Sequence, residues 1–116
     1  MFKNIIILKY IMVNIAILSS GTGNSSKKLL ENIKNKNINS IVSVIITNKS
    51  DAKIIELAKL YKISYIYLPK KKDVSNTSYD TQLVTILKSY NIDTIFLIGY
   101  MRIVTRIIID YFFVYF

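Results

Sequence analysis

Two short glycine-bearing segments hold the residue types in this chain best suited to chemistry. The first, Leu18-Ser19-Ser20-Gly21-Thr22-Gly23-Asn24-Ser25-Ser26, follows one apolar run, and the second, Phe96-Leu97-Ile98-Gly99-Tyr100-Met101-Arg102-Ile103-Val104, follows another. Only three glycines occur in 116 residues, so where they do occur a left-handed turn or a close backbone approach is implied. A strand, a Gly-x-Gly turn and a helix start form an anion cradle, because the helix N-terminus offers unpaired N–H groups and a partial positive charge. Gly23 would let backbone approach the anion, and Asn24 and Ser25 would add donors. A plain strand-to-helix turn with no ligand explains a lone Gly-x-Gly equally well. In the second segment Met101 and Ile103 read equally well as core packing, whereas Arg102 is a rigid cation just past a buried strand.

The sequence narrows the choice of anion. A dinucleotide fingerprint requires a third glycine where Ser26 stands and an acid at the end of the second strand, which instead ends Thr47-Asn48. A triphosphate loop requires Gly-Lys-Ser/Thr, and Gly23-Asn24-Ser25-Ser26-Lys27 lacks it. A phosphomonoester fits better than either. The chain has no cysteine and no histidine. That removes thiol chemistry and disulfides, the commonest general base and the commonest metal ligand. No metal is expected. The net charge of +9 invites a nucleic-acid reading, but the lysines are scattered apart from Lys70-Lys71-Lys72. Without a zinc-ligand set or an aromatic RNA-binding signature, a solvated basic surface that mildly favours anions is the better reading, and no nucleic-acid partner is expected.

The elements that must position these segments follow from hydrophobic periodicity. Val13 to Leu18, Ile41 to Thr47, Ile63 to Leu68 and Ile92 to Ile98 read as buried strands, β-branched and nearly continuously apolar. Between them lie three helices. The first is capped by Ser25 or Ser26 and runs to about Lys36 with Leu29, Leu30 and Ile33 on one face; the second ends at Tyr61; the third spans Tyr79 to Tyr90. Arg102 onward reads as helical with a poor apolar pattern. The junctions Leu60-Tyr61-Lys62-Ile63 and Ser89-Tyr90-Asn91-Ile92 rhyme, each passing from helix end to strand start. This β-α-β-α rhythm predicts an α/β fold: a doubly wound, Rossmann-like, mostly parallel sheet of about four strands with flanking helices. In such a sheet the first and fourth strands are often neighbours, which would bring the two glycine segments together.

The residues that carry these features resemble one family. Ile15-Ala-Ile-Leu-Ser-Ser-Gly-Thr-Gly-Asn-Ser25, Thr47-Asn48-Lys49-Ser50-Asp51-Ala52, Tyr79-Asp80 and Asp93-Thr-Ile-Phe-Leu-Ile-Gly-Tyr-Met-Arg-Ile103 are similar to phosphoribosylglycinamide formyltransferase, in order and spacing, from Val13 to about Tyr111. The Gly-Tyr-Met-Arg-Ile stretch is the most specific part. The resemblance implies transfer of a formyl group from 10-formyltetrahydrofolate to the amine of glycinamide ribonucleotide, in de novo purine synthesis. It implies that Gly23, Asn24 and Ser25 hold the substrate phosphate. Met101, Arg102, Ile103 and Val104 would then line the folate pocket, largely through backbone. Asn76 stands where the family usually carries an arginine for the folate, with Lys70, Lys71 and Lys72 nearby.

The resemblance also sets expectations for the whole chain. Residues 1–12 read as an N-terminal extension, or the start lies at Met12, and 13–116 read as the N-terminal half of a formyltransferase domain, truncated relative to the family. The family's catalytic Asn, His and Asp would lie beyond the aromatic tail Tyr111-Phe112-Phe113-Val114-Tyr115-Phe116, so the chain is expected to be inactive alone. No apolar stretch reaches the ~18 residues a membrane helix needs, and a cytoplasmic location with no membrane partner is expected. A sheet of four strands would leave the fourth with an exposed edge, inviting self-association. Three other readings remain: a related formyl-folate hydrolase or hydroxymethyl-transferring enzyme, a non-catalytic phosphate- or nucleotide-binding or interaction module, and, last, a nucleic-acid binder.

Overall fold

A computed structural model of the chain describes residues 13–35 and 40–115. The expected extension over 1–12, the alternative start at Met12 and the helix end at Lys36 lie outside the described residues. The elements run β1 (Val13–Leu18), α1 (Asn24–Lys34), β2 (Ser40–Thr47), α2 (Ile54–Leu60), β3 (Ser64–Tyr67), α3 (Asn76–Ser89), β4 (Thr94–Leu97), α4 (Arg106–Tyr111) and β5 (Phe113–Tyr115). The strands form one sheet in the order β3-β2-β1-β4-β5, and every neighbouring pair is parallel. The chain builds outward from β1 to β3, then crosses back to place β4 on the other side of β1. The crevice at that reversal, beyond the C-terminal ends of β1 and β4, is where open α/β sheets bind ligands.

The two faces of the sheet carry two cores. On one, Ile15, Ile17, Val42 and Ile45 pack against Leu30 of α1 and Ile54 and Ala58 of α2. On the other, Ala16, Leu18, Val44 and Ile46 pack against Tyr79, Leu83 and Leu87 of α3 and Ile108 of α4. Alternation along a strand would put Val42 and Val44 on the same face. They lie on opposite faces because the β1–β2 register slips between Ile15 and Ala16, pairing Ile15 with Val42 and Ala16 with Val44. One extra residue in β2 reverses its parity, as a bulge does. α4 has six residues, too short to stand on propensity; it is held by fully buried Ile108, worth about 1.5–3 kcal/mol.

The two rhyming junctions are the same C-cap built twice. Lys62 and Asn91 both have φ 56. The Ile63 amide donates to the Ala58 carbonyl at 2.9 Å and the Lys62 amide to that of Lys59 at 3.2 Å. In α3 the equivalents are Ile92 to Leu87 at 3.1 Å and Asn91 to Lys88 at 3.0 Å. Both are Schellman motifs, in which one left-handed residue turns the chain out of the helix and into the next strand.

Three expectations are corrected. The sheet has five strands rather than four: the tail after α4 turns back and lays Phe113, Val114 and Tyr115 beside Thr94, Ile95 and Phe96, with the Phe96 and Tyr115 rings stacked at 5.4 Å. β4 therefore has a covered edge, and self-association through that edge loses its basis. Second, the segment from Arg102 is helical only over Arg106–Tyr111; residues 99–105 form an irregular loop. Third, neither Ser25 nor Ser26 caps α1. Gly23 holds the cap position in the left-handed region and no side chain bonds there, while Ser26 is buried with no hydrogen-bond partner on its hydroxyl.

Candidate functional site

The two glycine turns meet at the C-terminal ends of β1 and β4. The Ser20 amide donates to the Gly99 carbonyl at 3.0 Å, and the Ile98 amide donates to the Leu18 carbonyl at 3.0 Å. Between the turns is a cavity of about 310 Å³ lined by Ser19, Gly21, Thr22, Gly23, Asn24, Ser25, Ile98 and Gly99. The lining has no ionisable side chain. Its polar groups are hydroxyls, one amide side chain and the first-turn N–H groups of α1, a set that can bind and orient an anion. A second cavity of about 380 Å³ begins at Leu97 and Gly99 and is walled by Tyr100, Arg102, Ile103, Val104 and Ile109. Gly99 is common to both. A third cavity, about 400 Å³, opens where β4 and β5 begin, beside Asp93 and Phe113, at the opposite end of the sheet from the crevice.

Of the predicted anion-site residues, Gly23, Asn24 and Ser25 all line the first cavity. Gly23 has φ 85. A Cβ there would sit 3.4 Å from the Ile54 Cα and 3.3 Å from the Leu57 side chain, so the turn also lets α1 and α2 approach each other. The left-handed backbone, with a close neighbour beside it, thus favours glycine here without any ligand. Gly21 has neither constraint: a Cβ on it would meet nothing within 4 Å.

The predicted residues of the second site divide. Met101 and Ile103 are 72% and 90% exposed, so the core-packing reading of these two fails. Arg102 turns inward, and its side chain is only 8% exposed. Nη1 donates to Asp80 Oδ1 and to the Tyr100 hydroxyl, both at 3.1 Å, and Nη2 donates to Asn76 Oδ1 at 3.4 Å. The guanidinium carbon lies 3.9 Å from the centre of the Tyr79 ring. Burial works against this charge, but the Tyr100 hydroxyl and the Asp80 carboxylate outweigh it and hold Arg102 above its ordinary pKa. Burial, reinforced by Tyr100, also pushes the Tyr79 phenol well above its usual range, so that group stays protonated and donates to the Leu68 carbonyl. Asn76 and Arg102 are thus brought together, but as partners of each other.

Sequence reasoning missed Ser20 and Asp80 as site residues. Ser20 is nearly buried; its hydroxyl accepts from the Met101 amide at 2.9 Å and donates to Asn48 Oδ1. Asp80 is fully buried, with one oxygen on Arg102 and the other accepting from the Thr105 amide at 2.6 Å. A buried carboxylate needs a partner, and in sequence the aspartate inside an amphipathic helix was the available signal. Among the described residues there is no cluster of metal-ligating side chains, and no helix is long and apolar enough to cross a membrane.

The chain is similar to known proteins over most of its length. The family model described as formyl transferase matches residues 13–114. The chloroplastic phosphoribosylglycinamide formyltransferase of Arabidopsis thaliana is 30% identical over 91 residues, covering 78% of this chain and 31% of that protein. The Escherichia coli phosphoribosylglycinamide formyltransferase is 28% identical over 100 residues, covering 86% and 47%. Among solved structures, glycinamide ribonucleotide transformylase 1 from Symbiobacterium toebii superposes with a TM-score of 0.83 at 29% identity, covering 87% of this chain and 48% of that one. The chain spans about half the length, or less, of these relatives. With the match running from β1 into β5, through both glycine turns, this chain belongs to the formyl transferase family.

Proposed function

We propose that this chain forms the phosphate- and folate-binding part of a phosphoribosylglycinamide formyltransferase, which transfers the formyl group of 10-formyltetrahydrofolate to the amine of glycinamide ribonucleotide in purine synthesis in the cytoplasm. The observation that carries this reading is the meeting of two chemically different corners in one crevice. The Gly23-Asn24-Ser25 corner, polar and at a helix N-terminus, suits the substrate's phosphate. The adjoining corner, walled by Tyr100, Ile103, Val104 and Ile109, suits the flat, largely apolar body of a folate, with Met101 and Arg102 contributing backbone. Asn76 serves this corner through Arg102 rather than by touching the cofactor. No ionisable side chain lines the phosphate corner, so these residues bind and orient, while proton transfer falls to other groups.

Titration of the full chain with ribose 5-phosphate, followed by amide NMR, tests this. The dipole at a helix N-terminus contributes only about 0.3–2 kcal/mol, so binding is expected to be weak. Shifts should concentrate on residues 22–26, and Asn24→Ala combined with Ser25→Ala should weaken the affinity severalfold. Equal titration of wild type and variant, or shifts spread over the lysines instead, would count against the phosphate corner.

A further inference from the structure

The loop from Gly99 to Thr105 stands out because side chains, rather than backbone, take its amides at both ends. At the near end the Met101 amide donates to Ser20 Oγ at 2.9 Å. At the far end the Thr105 amide donates to Asp80 Oδ2 at 2.6 Å. Ser20 Oγ is itself aimed by its donation to Asn48 at the end of β2, and Asp80 by Arg102, which lies in the loop's own middle. The loop is thus pinned to β1 and β2 on one side and to α3 on the other. Between the pins Met101 and Ile103 point out, 72% and 90% exposed. Exposed apolar side chains on an untethered loop would be expected to collapse inward; here the tethers hold them out.

We propose that Ser20 and Asp80 are positioning residues that strap the 99–105 loop by its backbone, one at each end, making it a preformed wall of the crevice instead of a flap that closes on ligand. The strapping also couples the two corners, because Ser20 adjoins Gly21 of the anion turn and contacts the other corner twice, through its amide on Gly99 and its hydroxyl on Met101. It does not depend on which ligand the crevice takes.

Amide hydrogen exchange of the ligand-free full chain, resolved by residue, is the test. In the unsubstituted protein Met101 and Thr105 should be protected. Ser20→Ala should speed exchange at Met101 by about tenfold, the equivalent of one ordinary hydrogen bond, and leave Thr105, Ile54 and Ile98 unchanged. Ser20→Thr, which keeps the hydroxyl, should restore Met101. Asp80→Asn leaves one acceptor oxygen for two donors and should speed Thr105 about tenfold without affecting Met101. Free exchange at both amides in the unsubstituted protein would overturn the proposal. So would unchanged Met101 exchange in Ser20→Ala, or a uniform loss of protection at all four amides in either variant, which would mark general destabilisation. Absence of any ribose 5-phosphate binding would sink the phosphate corner but leave this result standing.

Discussion

At the scale of single residues, the two glycines of the first turn are unequal. Gly23 is in the left-handed region and faces Ile54 and Leu57; Gly21 faces open space. An L side chain in the left-handed region costs about 1–2 kcal/mol, so Gly23→Ala should lower stability by about that much in urea denaturation. Gly21→Ala should stay within about 0.5 kcal/mol of wild type, as a change without a steric or backbone mechanism does. Equal losses in the two variants would mean that Gly23 is not the strained position. The sequence placed both glycines at a strand end correctly but could not rank them, because the ranking depends on α2 packing against the turn from about thirty residues further along the chain. The same limit hid the role of Arg102. Its residue type and position marked it as special, yet Asp80 and Asn76 lie 22 and 26 positions away, beyond any local periodicity.

At the scale of elements, the repeated C-cap makes its own prediction. Lys62 carries a full side chain at φ 56, as does Asn91, but asparagine tolerates this region far better than lysine. Lys62→Gly should therefore stabilise the chain by about 0.5–1 kcal/mol, the left-handed penalty removed less the entropy glycine adds to the unfolded state. Asn91→Gly should gain less. Thermal melts of both variants check this, and a Lys62→Gly protein less stable than wild type would show that the cap is not strained. The rhyme of these junctions was legible because the sequence repeats the same helix-to-strand passage. The inner strands β1, β2 and β4 were legible because β-branched residues recur in short buried runs; β3 was expected as a buried strand too, but it lies at the edge of the sheet with Tyr65 and Tyr67 exposed. β5 was not legible. Phe113, Val114 and Tyr115 have the propensity of a strand, but following a helix of weak pattern they read as a tail. Only the parallel register with Thr94–Phe96 makes them part of the sheet. The cap of α1 was misread for another reason: serines at 25 and 26 match cap chemistry, but the left-handed Gly23 starts the helix earlier and carries Ser26 into the interior.

At the scale of the whole molecule, charge and fold pull against each other. Sixteen basic and seven acidic residues leave a net charge of +9, and the described residues hold two ion pairs. Arg106–Asp110 is exposed, at 3.6 Å on one face of α4, and such an i,i+4 pair is worth about 0.3–0.5 kcal/mol. Arg102–Asp80 is buried, so dissolved salt screens it little. Against these stands the mutual repulsion of the scattered lysines, which salt does screen: the Debye length falls from about 30 Å at 0.01 M to about 3 Å at 1 M. Repulsion is spread over the surface, while among the described residues the exposed ion pairing is one weak pair, so the balance has a sign. Raising sodium chloride from 10 mM to 500 mM should increase the melting temperature, and Asp110→Asn should leave that increase nearly unchanged. Sodium chloride is suited to the experiment because its ions bind weakly. Phosphate or sulfate at the same ionic strength should add a further increment through the Gly23-Asn24-Ser25 corner, since a ligand that binds only the native state stabilises it. That increment should shrink in the Asn24→Ala, Ser25→Ala protein while the chloride effect persists. A melting temperature that falls with chloride would mean that surface pairing outweighs repulsion, and one that rises equally with all three salts would leave the anion corner without a thermodynamic signature.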